Sequence, residues 1–256
     1  MTASSFSFER LEKAHYPFKR YPAAQCDTIL FPGCAFPSQF SQTTDELGKI
    51  VREHGVGIAY DCCGTSLLQG ASDKDANRVL ASIEKRLQIC GCKRIACICP
   101  NCFFYFRNRL DVEVISVYQL LWELGIKNKG HFEDALLFVP CPDREERIFE
   151  QEIRKLCALE DTQSIQGGCC GLRPDIAAKG PDVSKKCAAA VAKQAKGWVL
   201  YSYCASCSGQ FERLGFTGFK HVLPEFLGID EQPDAAHSFI NRAKRKFDKK
   251  VDPFKS

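Results

Sequence analysis

The chain has 256 residues, of which 45% are hydrophobic and 26% are charged, with a formal net charge of +4. This composition predicts a globular protein with room for two cores, and the small, dispersed charge argues against nucleic-acid binding, which uses clustered basic residues. No apolar stretch reaches the roughly 18 residues of a spanning helix, and residues 1–13 are polar, which predicts a cytoplasmic protein without direct membrane insertion.

Short apolar segments and amphipathic segments alternate along residues 27–130. The sequence predicts strands at Asp27–Phe31, Val56–Tyr60, Arg94–Ile98 and Val112–Val117. It predicts helices at Thr43–His54, Lys74–Leu87 and Tyr118–Leu124. Each of the first three strands leads into a segment that contains cysteine.

The same order returns along residues 131–256. Strands are predicted at Ala135–Val139, Ser164–Gln166, Trp198–Tyr203 and Phe219–Val222, and helices at Glu145–Leu156, Ser184–Lys196 and Leu223–Leu227. We therefore expect an α/β protein of two pseudo-symmetric repeats, each a small parallel-sheet domain with its cysteines at the carboxyl ends of strands. The predicted organisation is an arm at 1–26, a first domain at 27–130, and a second domain at 131–256 with a basic C-terminal helix.

Ten of the sixteen cysteines follow one pattern twice. Three of them recur after 107 residues and two after 105, which gives the sets Cys34, Cys62, Cys63, Cys99, Cys102 and Cys141, Cys169, Cys170, Cys204, Cys207. In a reducing cytoplasm so many cysteines favour metal binding or redox chemistry over a disulfide framework. Thiolates at a constant spacing in both halves point to iron–sulfur or another thiolate–metal chemistry.

Each cysteine group has a geometric reason for its sequence. A Cys-x-x-Cys segment that opens a helix directs two thiolates at one centre, where the helix N-terminus favours negative charge. Adjacent cysteines can serve one site only in a turn, which Gly64 and Gly171 permit. Five thiols in each half exceed by one the number that a tetrahedral zinc site or a cubane cluster uses.

These motifs resemble the cysteine-rich CCG-domain proteins. That family includes the B subunit of heterodisulfide reductase, the matching half of its D subunit, and iron–sulfur subunits of anaerobic glycerol-3-phosphate, glycolate and lactate oxidising systems. The segments Phe31-Pro-Gly-Cys34 and Val139-Pro-Cys141 also look like the family's lead-in segments. The resemblance covers Asp27 to about Leu227.

The resemblance implies a non-cubane [4Fe-4S] cluster in each half, with both clusters facing a disulfide or thiol substrate at the domain interface. It implies that all ten motif cysteines are cofactor ligands, and that the catalytic ligands are Cys34, Cys62, Cys63, Cys141, Cys169 and Cys170. Some family members hold zinc in one half. Pro142 and the segment Leu172-Arg173-Pro174 depart from the first half, so the two sites need not be equivalent.

Three functions stay open at this point. The first is a redox subunit of a heterodisulfide-reductase-like complex, and the second is an electron relay in a lactate, glycolate or glycerol-3-phosphate oxidising complex. The third is a zinc-stabilised interaction module. Because the chain has no ferredoxin-type cysteine run, no GxGxxG segment and no P-loop, we expect a partner subunit with cubane clusters or flavin to supply electrons.

Several residues outside the motifs carry weaker expectations. The other six cysteines are expected to pack as small apolar residues, and they are Cys26, Cys90, Cys92, Cys97, Cys157 and Cys187. His54, His131, His221 and His237 lack a second histidine at ligand spacing. His221 and Arg173 are the candidates for orienting a substrate. The basic tail from Asn241 is either a solvated face or a docking surface for an acidic partner, and Met1–Gln25 is expected to lie on a neighbour.

Overall fold

The computed structural model describes residues 11–68, 73–165 and 167–253. Its first half contains the strands β1 Thr28–Phe31, β2 Gly57–Ile58, β3 Arg94–Cys97 and β4 Glu113–Ser116. The helices of this half are α1 Ala35–Gln39, α2 Ser41–Glu53, α3 Asp73–Ile89, α4 Pro100–Phe106 and α5 Val117–Glu123. A 3₁₀ turn at Thr65–Leu68 follows the first cysteine pair.

The second half repeats this succession. Its strands are β5 Ala135–Phe138, β6 Ser164–Ile165, β7 Val199–Ser202 and β8 Phe219–His221. A 3₁₀ turn at Cys141–Asp143 follows β5. The helices are α6 Ile148–Cys157, α7 Pro174–Ala177, α8 Pro181–Ala195, α9 Ala205–Arg213, α10 Val222–Phe226 and α11 Ser238–Lys246.

Both sheets are parallel and have the same strand order. The first runs β2-β1-β3-β4 and the second β6-β5-β7-β8. Leu30 pairs with Ile58 on one side and with Ala96 on the other, and Leu137 pairs with Tyr201. Because helices cover both faces of such a sheet, its central strands are apolar throughout, as β5 is. The predicted fold of two parallel α/β repeats is confirmed.

The repeat extends to the residues that cap equivalent helices. Ser116 Oγ accepts hydrogen bonds from the backbone N–H groups of Tyr118 and Gln119 at the start of α5. His221 Nδ1 accepts one from Leu223 N at the start of α10. Ser116 and His221 lie 105 residues apart, which is also the offset of the Cys-x-x-Cys segments. The His221 imidazole thus caps α10 as the Ser116 hydroxyl caps α5.

The two halves share a hydrophobic cluster. Side chains of the second half, including Leu137, Val139, Phe149 and Tyr203, belong to the same buried cluster as the strands of the first half. The helices α5 and α6 pack together across this contact. The boundaries of the two domains stay a prediction, but their packing couples one cysteine-bearing sheet to the other.

Most predicted bounds shift by one to three residues, and the structure shows the cause of two of these shifts. The strand predicted at Val56–Tyr60 pairs in parallel only over Gly57–Ile58, because Tyr60 instead exchanges antiparallel hydrogen bonds with Arg20 of the N-terminal segment. Helix α6 begins at Ile148, since the buried Asp143 carboxylate accepts the N–H groups of Phe149 and Glu150. Gln166, the end of another predicted strand, lies outside the described residues.

Both ends of the chain pack on the first half. The backbone N–H groups of Ala23 and Ala24 each donate to Asp252 Oδ1 at 2.7 Å, and Ile58 N donates to Val251 O. The described part of the predicted arm therefore packs on its own chain, and its contact with a neighbour stays a prediction. Residues 1–10 and 254–256 lie outside the described part, and no helix in that part is long and apolar enough to cross a membrane.

Glu152 on α6 joins the halves through a carboxylate with an altered pKa. Burial raises the pKa of Glu152 to about 7, although the hydrogen bond that it accepts from the Ser116 hydroxyl acts in the opposite direction. An unfolded Glu has a pKa of about 4.3. Because the folded state holds this proton more tightly, stability is lost as pH rises from about 4.5 to about 7.

We expect Glu152→Gln to remove this pH dependence. At pH 8 the free energy of unfolding should rise by about 2 kcal/mol, less than the full pKa shift implies because solvent screens part of the carboxylate. At pH 4.5 the variant should match the wild type closely. Urea unfolding at both pH values checks this, with the exposed Glu160→Gln as control. An equal change at both pH values would contradict it.

Candidate metal centres

The five motif cysteines of each half lie at the carboxyl edge of its sheet. In the first half Cys34 follows β1, Cys62 and Cys63 follow β2, and Cys99 precedes α4, whose first turn contains Cys102. In the second half the same places belong to Cys141, Cys169, Cys170, Cys204 and Cys207. Parallel strands bring these separate segments to one edge, as the sequence predicts.

In the first half the five thiols form a continuous series in which each thiol acts on the pKa of the next. The order is Cys34, Cys62, Cys63, Cys102 and Cys99. Cys62, Cys63 and Cys102 are buried, whereas Cys34 and Cys99 are half-buried. The structure thus assembles all five predicted residues in one group.

The second half repeats the series in the same order. Its thiols act on one another's pKa values in the order Cys141, Cys169, Cys170, Cys207 and Cys204. Only Cys141 of this group is half-buried, and the other four are buried. Their assembly follows the prediction, and their role as ligands stays a prediction.

Hydrogen bonding between the thiols separates their pKa values in the first group. Bonds from Cys102 and Cys62 hold the pKa of Cys63 well below its usual range. The bonds of Cys102 to Cys63 and Cys99, together with burial, hold the pKa of Cys102 well above that range. The bond with Cys62 and burial raise the pKa of Cys34 likewise. Cys63 is therefore the first of these three thiols to ionise.

In the second group the thiols with lowered pKa values lie at different positions of the series. Bonds from Cys141 and Cys170 lower the pKa of Cys169, whose sulfur also accepts the Gly171 backbone N–H at 3.2 Å. The bond with Cys207 lowers the pKa of Cys204 to about 7. Cys169 is the repeat partner of Cys62 rather than of Cys63. The two groups therefore have the same connectivity and a different charge distribution.

The donor set fits a thiolate-bound metal or iron–sulfur group. All sixteen cysteines are free thiols. Within residues 11–68, 73–165 and 167–253, no three His, Cys, Asp or Glu side chains are arranged to hold one metal ion. Each half nevertheless brings five soft sulfur donors to one edge of its sheet, and zinc and iron–sulfur clusters both use such donors.

The segments around the cysteines differ between the halves. Cys34 precedes the helix α1, whereas Cys141 and Pro142 lie in a 3₁₀ turn. The Cys63 sulfur lies 3.0 Å from Thr65 Oγ1, and the second pair is followed instead by Arg173, which makes a bidentate ion pair with Asp175. The two thiol series therefore have different surroundings.

Both Cys-Cys-Gly turns need glycine, but to different degrees. Gly64 and Gly171 have φ values of +80° and +93°, in the left-handed region. A Cβ on Gly64 would lie 3.0 Å from the flexible Val79 side chain, while one on Gly171 would lie 2.5 Å from the Ser184 backbone oxygen. Backbone atoms cannot move aside as a side chain can. The second turn therefore tolerates a residue other than glycine less well than the first.

We expect Gly171→Ala to lower the free energy of unfolding by about 3 kcal/mol, and Gly64→Ala by about 1–2 kcal/mol. The left-handed conformation costs an Ala about 1–2 kcal/mol at either site, and the backbone overlap adds to it at Gly171. Urea unfolding of the three proteins measures the difference. Gly167→Ala is the control, since a Cβ there meets nothing within 4 Å. Equal losses at the two turns would contradict the assignment.

The cysteine-bearing segments of the two halves meet across the interface. Helix α1, which follows Cys34, packs against α9, and a Cβ on Gly209 of α9 would lie 2.6 Å from the Gln39 side chain of α1. Reciprocally, α4 of the first half packs against the turn Cys141–Asp143. Tyr203, just before Cys204, donates from its hydroxyl to Asp143 Oδ2 at 2.7 Å.

Of the two residues expected to orient a substrate, only Arg173 lies at the surface. His221 is 2% exposed and its ring packs against Phe36 and Phe40 of α1, with centroids 5.2 and 4.8 Å away. Burial lowers the pKa of His221 to about 3, so the ring is neutral. The structure places His221 in the core between the halves rather than where a substrate could reach it. Arg173 is exposed, and the nearby thiols Cys141 and Cys169 add to the effect of Asp175 in raising its pKa.

Two cations near the thiols have no signal in the sequence. Lys13 Nζ donates a hydrogen bond to Cys34 Sγ at 3.4 Å. The Arg144 guanidinium, which donates to the backbone oxygens of Val139 and Gly168, lowers the pKa of Cys141 against the larger effects of Cys169 and burial. Neither residue belongs to a motif, so only the fold reveals these contacts.

The remaining cysteines pack in the protein interior as expected. Cys26, Cys90 and Cys92 donate from their thiols to the backbone oxygens of Ala24, Pro22 and Arg94. Burial raises the pKa of all three, and it also raises the pKa values of Cys97 and Cys157. Cys187 is half-buried on α8.

Comparison with known proteins identifies the domain type of the first half. Residues 28–107 match the cysteine-rich domain family designated CCG, a stretch that contains the first five motif cysteines. No curated protein matches the chain. Among solved structures, glutamate racemase isoform RacE1 from Bacillus anthracis has a TM-score of 0.39 and 12% identity over 80% of this chain and 79% of that one, a similarity too low to carry an argument. The cysteine-rich domain and the abundant cysteines support an iron–sulfur type of protein.

Proposed function

We propose that this chain, with a cysteine-rich CCG domain at residues 28–107, is an iron–sulfur redox subunit of a heterodisulfide-reductase-like complex. Two non-cubane [4Fe-4S] clusters would act on a disulfide or thiol substrate between the halves. The observation that carries the proposal is the assembly of the same five-thiol series twice, on segments that pack against each other. Sixteen free thiols suit a reducing compartment, which favours the cytoplasm.

Each thiol series would hold one cluster. The ligands would be Cys34, Cys62, Cys63, Cys99 and Cys102 in the first half and Cys141, Cys169, Cys170, Cys204 and Cys207 in the second. When bound, the clusters supply one-electron chemistry and iron with an affinity for sulfur. Cys99 and Cys204 cap α4 and α9, so the N-termini of these helices stabilise negative charge on the thiolates.

The proposed reaction breaks one S–S bond of the substrate. Two electrons arrive from a partner subunit that carries cubane clusters or flavin, two protons arrive from solvent, and two thiols leave. In this chain Arg173 and Arg144 would orient an anionic substrate beside Cys141, since both guanidinium groups interact with that thiol's charge. The neutral, buried His221 would hold α1 against the second half and take no part in proton transfer.

The electron-donating subunit would dock on the basic C-terminal helix. Lys244 and Lys246 are exposed there, together with Lys249 and Lys250 just beyond it, and they would face an acidic surface. Phe239 is 58% exposed and supplies an apolar contact on the same helix. Ala243 of α11 packs with Cys34 and Cys62, so this helix lies beside the first thiol series. Arg245 is buried against Asp45 and so belongs to the fold.

A second candidate function is an electron relay without bond chemistry, as in organic-acid or glycerol-phosphate oxidising complexes. The observation that favours it is the packing of Tyr16 and Phe18 with Cys62, which is 2% exposed and so out of reach of a dissolved substrate. The two functions differ in their response to substrate. Addition of a small disulfide or thiol should alter the electron paramagnetic resonance signal of a reductase and leave that of a relay unchanged.

Metal and sulfide analysis after anaerobic purification tests the proposal first. About eight iron and eight acid-labile sulfide per chain, with little zinc, would agree with two four-iron clusters. About four of each with one zinc would restrict the redox chemistry to one half. Stoichiometric zinc without sulfide, unchanged after reconstitution with iron and sulfide, would overturn the proposal and leave a zinc-stabilised module.

A further inference from the structure

The two ends of the chain meet over the first thiol series. Tyr16 and Phe18 of the N-terminal segment are 3% and 6% exposed and form a cluster with Cys62. Cys34 and Ala243 of α11 pack against the same cluster. We call residues 11–18 and α11 together the terminal clasp. Its contacts bury Cys62 of the first series.

Aromatic and ionic contacts hold the terminal clasp together. The Arg242 guanidinium of α11 pairs with Glu12 and lies 5.6 Å from the centre of the Phe18 ring. Phe18 also meets Phe239 edge to face at 5.2 Å. Both partners of the Arg242–Glu12 pair are nearly buried, with 12% and 11% of their side chains exposed, so this pair is screened less than a surface ion pair. The clasp therefore fixes the position of residues 12–18.

The terminal clasp places Lys13 beside the first thiol series. The Lys13 ammonium donates to Cys34 Sγ at 3.4 Å. A lysine side chain is a cation at neutral pH, so this contact brings a charged N–H donor to a half-buried thiol of the first series.

The second series has a different cation in a different setting. Cys141, the repeat partner of Cys34, lies near Arg144, whose guanidinium donates to the backbone oxygens of Val139 and Gly168. Those bonds occupy donors that could otherwise turn toward the sulfur. The repeat therefore preserves the thiols and changes the charged group beside the first cysteine of each series.

We infer that Lys13 is a positioning residue that raises the reduction potential of the first-half cluster alone, through its hydrogen bond to Cys34. The inference rests on the proposed function. A charged N–H donor draws electron density from a ligand thiolate and favours the reduced cluster, which carries one more negative charge. Hydrogen bonds to ligand sulfurs are among the main determinants of cluster potential. The first cluster then accepts electrons more readily than it would without the clasp.

Potentiometric titration followed by electron paramagnetic resonance tests this inference on the whole protein. Lys13→Met keeps the aliphatic stem and removes the charged donor, and we expect it to shift one signal to lower potential. At the wild-type midpoint of that signal the ratio of reduced to oxidised cluster should fall about tenfold, equivalent to about 59 mV. The second signal should keep its midpoint. Lys13→Arg should return the midpoint of that signal most of the way to its wild-type value.

Further variants assign the signal and guard against loss of the cluster. In a Cys169→Ser background, where we expect only the first cluster, the remaining signal should be the one that Lys13→Met shifts. Arg242→Met leaves Lys13 in place and removes its anchor, so it should move the same signal in the same direction by less. Lys179→Met, an exposed lysine of the second half, is the matched control and should move neither.

The outcomes separate this inference from the proposed function. Unchanged midpoints in Lys13→Met and Arg242→Met, or equal shifts of both signals, would overturn the role of Lys13 while iron and sulfide stay normal. If Lys13→Met cannot retain the first cluster, the Arg242→Met midpoint decides. Wild-type protein without iron and sulfide would overturn the proposed function itself.

Discussion

Replacement of Cys62 by Ser should remove the first cluster and leave the second in place. Serine offers a hard, protonated hydroxyl where iron prefers a soft thiolate. Cys62 is 2% exposed and bonds to both Cys34 and Cys63, so its loss also interrupts the thiol series. We expect the iron and sulfide content per chain to fall by about half, with the loss of one of two paramagnetic signals.

Cys169→Ser should remove the second cluster and leave the first in place. Cys169 bonds to Cys141 and Cys170 and holds the most acidic position of the second series. The two variants should lose different signals, and the double variant should lose both. Inductively coupled plasma analysis of iron, a sulfide assay and spectroscopy on one anaerobic preparation measure these changes.

The matched control is Cys187→Ser. Cys187 is a half-buried cysteine on α8 outside both series, so its replacement should leave iron, sulfide and both signals unchanged. Full iron content in both Cys62→Ser and Cys169→Ser would contradict the ligand assignment. Loss of both signals from either single variant would contradict two separate clusters and indicate one shared centre.

The sequence predicts the cysteine sites well because local pattern and repetition agree. Short apolar runs before Cys34 and Cys141 identify the first strand of each half, and the fixed offset carries the assignment from one half to the other. Parallel strands then force the cysteine groups to one edge. The same offset relates Ser116 to His221, and the structure shows both accepting backbone N–H groups at the start of the next helix.

Contacts between distant segments could not be predicted in this way. Lys13 lies 21 residues before Cys34 in a segment without periodicity, and nothing distinguishes it from the other lysines. The early end of β2 results from the Arg20 bridge to Tyr60, which depends on how the N-terminal segment folds back. The burial of His221, a candidate for orienting a substrate, could not be predicted for a related reason, since Phe36 and Phe40 of the other half pack against its ring.

Phe149 is the side chain on which the two cysteine-bearing halves converge. It is fully buried, and its ring lies 5.2 Å from Phe103 of α4 and 6.1 Å from Tyr203, which precedes Cys204. Tyr118 of α5 approaches it edge to face at 5.9 Å. One ring thus touches the helix that contains Cys102 and the strand end that leads to Cys204.

Phe149→Ala should lower the free energy of unfolding by about 3–5 kcal/mol. The loss combines the transfer energy of the ring with the cavity left between rigid neighbours, and it includes aromatic contacts worth about 1 kcal/mol each. Phe149→Leu fills much of that space and should cost about 1–2 kcal/mol. Phe247→Ala, at a ring that is 76% exposed, is the control and should stay within about 0.5 kcal/mol of wild type. Urea unfolding gives the three values, and a loss in Phe149→Ala no larger than that of the control would show that the halves fold without this contact.

Because the cavity would open between α4 and the Cys204 segment, we also expect iron to be lost from both series on mild heating rather than from one.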